Sequence, residues 1–289
     1  MDKIRIISDL HLDINKDYPL EYQDDIFTIV CGDICGDYKQ ACKWVNKNIK
    51  RGILVCGNHI VYNNYAKTIL SIKQYLSKKF PVENEVTLLE NEVGVISKVV
   101  DGILFVGSCM YTDCRLPVVG LEKENEKDVI SINKWNGSYS MNDFNFGIKV
   151  KTKSLIRYLT PDDYEEQFYD TLKKMTAVLE ENEKQYSPLP VVLITHHPLS
   201  ARCIAERFKN SKINASFVSD YEEFINRFPS IKLVCSGHVH NSFNFKLDET
   251  REQSALYIVN PRGYIKHGEG KEFNSQLCVN TKTWKIERK

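Results

Sequence analysis

Lys3-Ile4-Arg5-Ile6-Ile7-Ser8-Asp9-Leu10-His11 opens the chain and decides how the rest is read. A short β-branched run ends abruptly in a carboxylate and an imidazole two residues apart. The pattern of an apolar run stopped by a polar tip then recurs. Ile26-Phe27-Thr28-Ile29-Val30-Cys31 runs into Gly32-Asp33, and Ile53-Leu54-Val55-Cys56 into Gly57-Asn58-His59. Val191-Val192-Leu193-Ile194 runs into Thr195-His196-His197-Pro198, and Ile231-Lys232-Leu233-Val234-Cys235-Ser236 into Gly237-His238-Val239-His240. Near-continuous β-rich runs of this length read as strands buried on both faces.

Helix-like stretches lie between these runs. One spans Tyr38 to Lys50 and another Tyr65 to Lys79. A long one opens with Thr160 as N-cap, Pro161 at the first helical position and acids in the first turn, and reaches about Lys184. Strands alternating with helices predict a layered α/β fold. The middle, Val93 to Cys109, and the tail runs Phe243–Leu247, Ala255–Val259, Gln276–Val279 and Trp284–Glu287 read as successive antiparallel strands. A mixed sheet or two packed sheets is therefore expected, not a purely parallel one. With no internal repeat and no Pro/Gly/Ser linker, residues 1–289 read as one domain. Residues 110–159 read as a polar surface excursion, with a cap over the active site as the alternative.

Composition narrows the class. The formal net charge is +1 over 289 residues, so bulk charge does not predict a general nucleic-acid surface, although a local basic groove is compatible with it. No apolar run approaches the length of a membrane span, and the first residues lack the pattern of a signal peptide. Of the nine cysteines, Cys31, Cys56, Cys235 and Cys278 sit inside strand-like runs. Buried thiols in a reducing compartment explain that placement better than a disulfide framework, so a cytoplasmic protein is expected.

Six of the seven histidines, all but His267, lie in the polar tips, beside Asp9, Asp33 and Asn58. Ligands bind at strand ends in open α/β sheets because side chains from several strands converge there. Imidazole, carboxylate and amide oxygen together suit Mn, Fe or Zn, and no cysteine stands in a zinc-ribbon spacing. Each tip alone is an ordinary turn or strand end. The residues of Asp9-Leu10-His11 are at i and i+2, so an extended backbone would point both to one side. Five such tips in order point to a metal site.

That ordered series resembles the calcineurin-like metallophosphoesterases from the first strand to the last. Tyr111-Thr112-Asp113, Met141-Asn142-Asp143, Leu159-Thr160-Pro161-Asp162-Asp163 and Asn260-Pro261-Arg262-Gly263-Tyr264 are similar to elements of one bacterial and phage-type branch. The resemblance implies a two-layer β-sandwich flanked by helices, and two divalent metal ions bridged by a carboxylate. Manganese is the expected ion, with iron, zinc or nickel as alternatives. It implies that one metal takes Asp9, His11, Asp33 and His240, and the other Asp33, Asn58, His196 and His238. His197 is then structural. The implied reaction is hydrolysis of a phosphate ester by a hydroxide held between the metals, with His59 protonating or stabilising the leaving oxygen.

Two departures bear on substrate. Ile60 stands where relatives carry an acid after the asparagine-histidine pair. Gly36 and Asp37 stand where protein Ser/Thr phosphatases carry Asp-Arg, so a phosphate-gripping arginine is missing. A dianionic monoester needs more positive charge than a monoanionic diester, which favours a phosphodiester or nucleotide. Arg262 could bind an oxyanion bidentately or serve as a structural arginine. Asn241 and Tyr264 are further candidates for the substrate rim, whereas Asp113, Asn142 and Asp143 read as turn caps. Competing functions are a phosphomonoesterase, a nuclease acting on DNA or RNA ends, and a non-catalytic scaffold. The scaffold is disfavoured because every ligand position is filled. No membrane partner is expected.

Overall fold

The computed structural model describes residues 1–16, 18–20, 26–62, 85–91, 94–118, 125–151, 156–251 and 254–287. Its strands in chain order are β1 (Lys3–Ile7), β2 (Phe27–Cys31), β3 (Arg51–Val55), β4 (Glu85–Leu88), β5 (Ser97–Val100), β6 (Ile103–Ser108), β7 (Lys149–Lys151) and β8 (Ile156–Tyr158). They continue with β9 (Val191–Thr195), β10 (Ile231–Ser236), β11 (Phe243–Lys246), β12 (Leu256–Val259), β13 (Cys278–Asn280) and β14 (Lys285–Ile286). Two six-stranded sheets form, ordered β14-β13-β1-β2-β3-β4 and β11-β12-β10-β9-β6-β5, beside a β7-β8 pair. The centre of each sheet is parallel: β1 through β4 in one, β6, β9, β10 and β12 in the other.

Antiparallel strands occur only at the margins of these two sheets, among the described residues. The expectation of successive antiparallel tail strands holds within each pair, β11-β12 and β13-β14. It fails between the pairs, because β12 joins the second sheet and β13 crosses to β1 in the first.

Alternation along each strand explains why the runs are apolar throughout. Ile4, Ile6, Ile29, Ile53, Phe105, Val192, Ile194 and Ile258 face the space between the sheets. Ile7, Val30 and Leu54 face outward onto the Tyr38–Asn48 helix, which offers Trp44 and Val45. On the opposite face, Val106, Leu193 and Val234 meet Phe168, Met175 and Leu179 of the Pro161–Glu183 helix. Both surfaces of each sheet are therefore covered, as parallel sheets require.

The long helix begins where expected, with Thr160 as N-cap and Pro161 first. Asp163 completes a reciprocal capping box. The helix expected over Tyr65–Lys79 lies outside the described residues. No described helix is long and apolar enough to cross a membrane.

Much of the described part of residues 110–159 packs inward instead of forming a polar surface excursion. Met141, Phe144 and Ile148 join the core beside the Glu126–Ser140 helix.

Candidate metal centre

The chemistry-bearing side chains stand at the C-terminal ends of β1, β2, β3, β9 and β10, where the two sheets meet. His196 Nδ1 donates to the Cys31 carbonyl at 2.7 Å, and the His238 N–H donates to the Asp9 carboxylate at 3.0 Å. These bonds tie the tips of one sheet to those of the other. The backbone there is not extended, which corrects the expectation for the i, i+2 pairs. Asp9, His11, Asp33, His238 and His240 have φ of 52°, 44°, 49°, 70° and 50°. A non-glycine residue in that region costs about 1–2 kcal/mol, a strain that clusters at functional sites. The sharp turns bring side chains from successive tips onto one centre. Gly57 and Gly237 make room for it, since a Cβ at either would overlap the carboxylate of Asp33 or Asp9 respectively.

Two groupings meet at Asp33. In the first, His11 Nε2 and His240 Nε2 face each other at 3.0 Å, with Asp9 Oδ1 3.9 Å from the former and 3.5 Å from the latter. In the second, His196 Nε2 lies 3.0 Å from Asn58 Oδ1 and 3.4 Å from Asp33 Oδ2. The same Asp33 Oδ2 is 4.0 Å from His11 Nε2, so one carboxylate oxygen faces both groupings. His238 stands 4.0 Å from His197 at an angle of 39°, and 5.0 Å from His196, ring centre to ring centre.

These residues fit a metal. Ligand atoms bonded at roughly 2.0–2.2 Å to one ion are separated by about 3–3.5 Å, and four of the six distances here fall in that range, the other two reaching 3.9 and 4.0 Å. Asp9 with His11 and His240, His11 with Asp33 and His59, and Asp9 with Asp33 and His196 each bring three such atoms within 4.8 Å. His238 Nε2 is buried with no hydrogen-bond partner among the described residues.

Burial and charge set the protonation of the metal-free centre. Burial pushes the His11 imidazole down to about 4 despite the nearby Asp33 and Asp9. For His196 burial acts the same way, but Asp33 and Asp9 outweigh it and raise the ring to about 9. His240 reaches about 10 because Asp9 and Glu269 overcome its burial. Burial would raise the Asp33 carboxyl, yet the imidazoles of His196, His59 and His11 hold it well below the usual carboxylate range. His197 is pushed down to about 3 by burial and by His196. Its Nδ1 lies 4.0 Å from Cys109 Sγ, within the packed interior.

A second ring of residues orients these groups. Asp143, read from sequence as a turn cap, is buried and accepts from Asn58 Nδ2 at 3.0 Å and from the hydroxyls of Tyr62 and Tyr164. It thereby turns the Asn58 oxygen toward His196. Glu269, which sequence reading missed, accepts from His240 Nδ1 at 2.7 Å and so directs His240 Nε2 inward. No spacing rule links residues 29 positions apart. Asp113 does serve a turn: its carboxylate accepts from Arg115 N and from Ser219 Oγ.

The substrate candidates separate. Tyr264 Oη lies 3.1 Å from His59 Nε2, and its ring touches those of His11 and His240. Arg262 donates to the Lys16 carbonyl at 3.0 Å and covers the Tyr18 ring, outside the residues lining the central cavity. Asn241 sits at the outer rim, where it accepts from Arg207 at 3.2 Å. Ile60 is buried in apolar packing, and His59 is instead held by Tyr264 and by stacking on Tyr62 at 4.3 Å. Asp37 caps the Tyr38–Asn48 helix. The cavity over the centre measures about 290 Å³ and is lined by Asp33, Asn58, His59, His238, His240 and Tyr264, with Arg207 and Glu269 at its edge.

A family model described as calcineurin-like phosphoesterase matches residues 3–242. The chain belongs to the calcineurin-like phosphoesterase family. It is a metal-dependent phosphoric ester hydrolase. No curated protein matches the sequence. Among solved structures, this phosphoesterase is similar to a phosphopantetheinyl hydrolase from Mycobacterium tuberculosis. That likeness has a TM-score of 0.63 and 16% identity over 91% of this chain and 90% of that one. A dimetal phosphatase from Danio rerio matches with a TM-score of 0.49 and 16% identity over 96% and 92% of the two chains. At such identities the likeness is one of fold.

Proposed function

We propose that the enzyme hydrolyses phosphodiesters or nucleotides with two divalent ions, manganese being favoured. The observation that carries this reading is Asp33 Oδ2, which faces His196 Nε2 at 3.4 Å and His11 Nε2 at 4.0 Å and so joins two ligand groupings. Asp9, His11, Asp33 and His240 would hold one ion, and Asp33, Asn58, His196 and His238 the other. When bound, such a pair polarises phosphoryl oxygens and makes a hydroxide nucleophile available near neutral pH.

The chain's own groups do the rest. Asp143 and Glu269 hold Asn58 and His240 with their ligating atoms turned inward. The His59 N–H donates to Asp33 Oδ1 at 3.0 Å, which leaves Oδ2 for the centre. The His59 imidazole, steadied by Tyr264, would protonate the leaving oxygen, a contribution on the order of 10²–10⁴-fold. Arg207 lies at the cavity edge and supplies an oxyanion contact from an element that no Asp-Arg motif would reveal. Because Glu269 lines the same cavity, the added positive charge is offset, which supports a monoanionic diester over a dianionic monoester.

The tips that build the centre run from Asp9 to His240, and Tyr264 and Glu269 line the same cavity, supporting one domain across the chain. The nine buried free thiols support a reducing compartment, the cytoplasm.

The test is turnover of bis-p-nitrophenyl phosphate against p-nitrophenyl phosphate by metal-stripped protein refilled with Mn²⁺. Diester cleavage should exceed monoester cleavage and vanish in Asp33→Ala. Monoester preference would overturn the substrate reading, and no turnover of either would overturn the activity.

A further inference from the structure

Beside the metal cavity lies a second, smaller one of about 130 Å³. Its inner wall is Cys203, Ile204, Ala205 and Val218, drawn from the 3-10 turns and loop of residues 201–218. Phe208, Ile213, Phe217 and Val239 line both cavities, so the two adjoin along these four apolar side chains. The Phe217 ring stands 4.9 Å from the His238 ring at an angle of 30°, which places the apolar wall one ring away from the ligand cluster. Asn214, one of the few polar residues here, spends its amide on the Phe208 carbonyl at 2.7 Å. Phe208 itself is 45% exposed, and the Arg207 guanidinium lies over it at 4.6 Å. A large aromatic side chain shared by two cavities and still 45% exposed is a surface that an apolar group would bury.

We infer that this cavity is the subsite for the organic group of the substrate, and that the group is apolar and ring-sized. The inference rests on the metal centre acting on phosphate esters, as proposed above, and narrows that reading to esters of an aromatic group, away from nucleotides. Size selects the occupant: a cavity of about 150 Å³ lined by carbon takes one benzene ring. Chemistry selects it too, because a sugar or polar head group would lose its hydrogen bonds against this wall. The substrate therefore carries its phosphoryl oxygens toward Arg207 and the histidines, and an aromatic ring toward Phe208 and Val218.

Binding and turnover test this separately. Phenylphosphonate and methylphosphonate are titrated into Mn²⁺-loaded protein by calorimetry, a measurement that needs no catalysis. Burying a ring should make the phenyl compound bind at least about tenfold tighter. Ala205→Phe, which fills the half-buried wall with a ring of its own, should bring the ratio of the two affinities close to one. Equal affinities in the wild-type protein, or binding of neither compound, would overturn the subsite. Should the variant fail to fold, the wild-type ratio still decides. Turnover of methyl and phenyl p-nitrophenyl phosphate by wild type and Asp33→Ala then separates the activity from the subsite. Asp33-dependent cleavage without phenyl preference removes the subsite and keeps the enzyme.

Discussion

At the residue scale, two of the proposed ligands, Asn58 and His240, are presented by partners that sequence spacing does not predict. Asp143 lies 85 positions from Asn58, yet its carboxylate fixes which end of the amide faces the centre. Removing it takes the acceptor from the Asn58 amide and from the buried Tyr164 hydroxyl. Glu269 does the same for His240. Asp143→Ala and Glu269→Gln should each weaken Mn²⁺ binding about 10–100-fold, read by direct titration of stripped protein. Protonation adds a further consequence. His196 and His240 sit at about 9 and 10 without metal, so at pH 7.5 both carry a proton that a ligating imidazole must give up. Metal loading should release close to two protons per protein, measured as the dependence of calorimetric enthalpy on buffer ionisation enthalpy. Since the folded values are raised, affinity should strengthen as pH rises toward 9. A pH-independent affinity between 6 and 8 would remove these two histidines from the ligand set.

At the scale of elements, helix termini follow local rules and strand tips do not. The Pro161–Glu183 helix starts with Thr160 and Asp163 capping each other, and Arg157 pairs with Asp163 at 2.6 Å. Thr160→Ala should cost about 1 kcal/mol and lower the melting temperature by a few degrees, with turnover per folded molecule unchanged. Thermal denaturation followed by circular dichroism checks it. The tips behave otherwise, because five site residues occupy left-handed backbone that their side chains disfavour. Cross-sheet hydrogen bonds, such as His196 Nδ1 to the Cys31 carbonyl, hold that conformation against local preference.

At the scale of the whole molecule, the centre is a joint between two sheets, so metal and fold support each other. Sheet one contributes Asp9, His11, Asp33 and Asn58, and sheet two contributes His196, His238 and His240. Ions held from both sides bind the folded state and not the unfolded chain. Mn²⁺ at a hundred times its dissociation constant should therefore add about 2.7 kcal/mol of stability. Chelation should lower the melting temperature reversibly, and Asp33→Ala should abolish the metal-dependent part. A melting temperature indifferent to Mn²⁺ at that concentration would show that the folded chain does not bind the ion in preference to the unfolded one, and would overturn the metal centre.

The layered α/β architecture and the identity of the five tips were legible in the sequence, because both depend on short-range patterns. Strand runs buried on two faces must be apolar throughout, and their ends must carry the polar groups. What only the tertiary structure decided depends on distance across the fold. The pairing of β13 with β1, the Asp143 and Glu269 carboxylates behind Asn58 and His240, and the inward packing of Met141 and Phe144 all join residues far apart in the chain. So does the position of Arg207 at the cavity edge, while Arg262 is turned away onto Tyr18. Contacts of that kind arise when two sheets dock, and no periodicity or local propensity encodes which side chains then face each other.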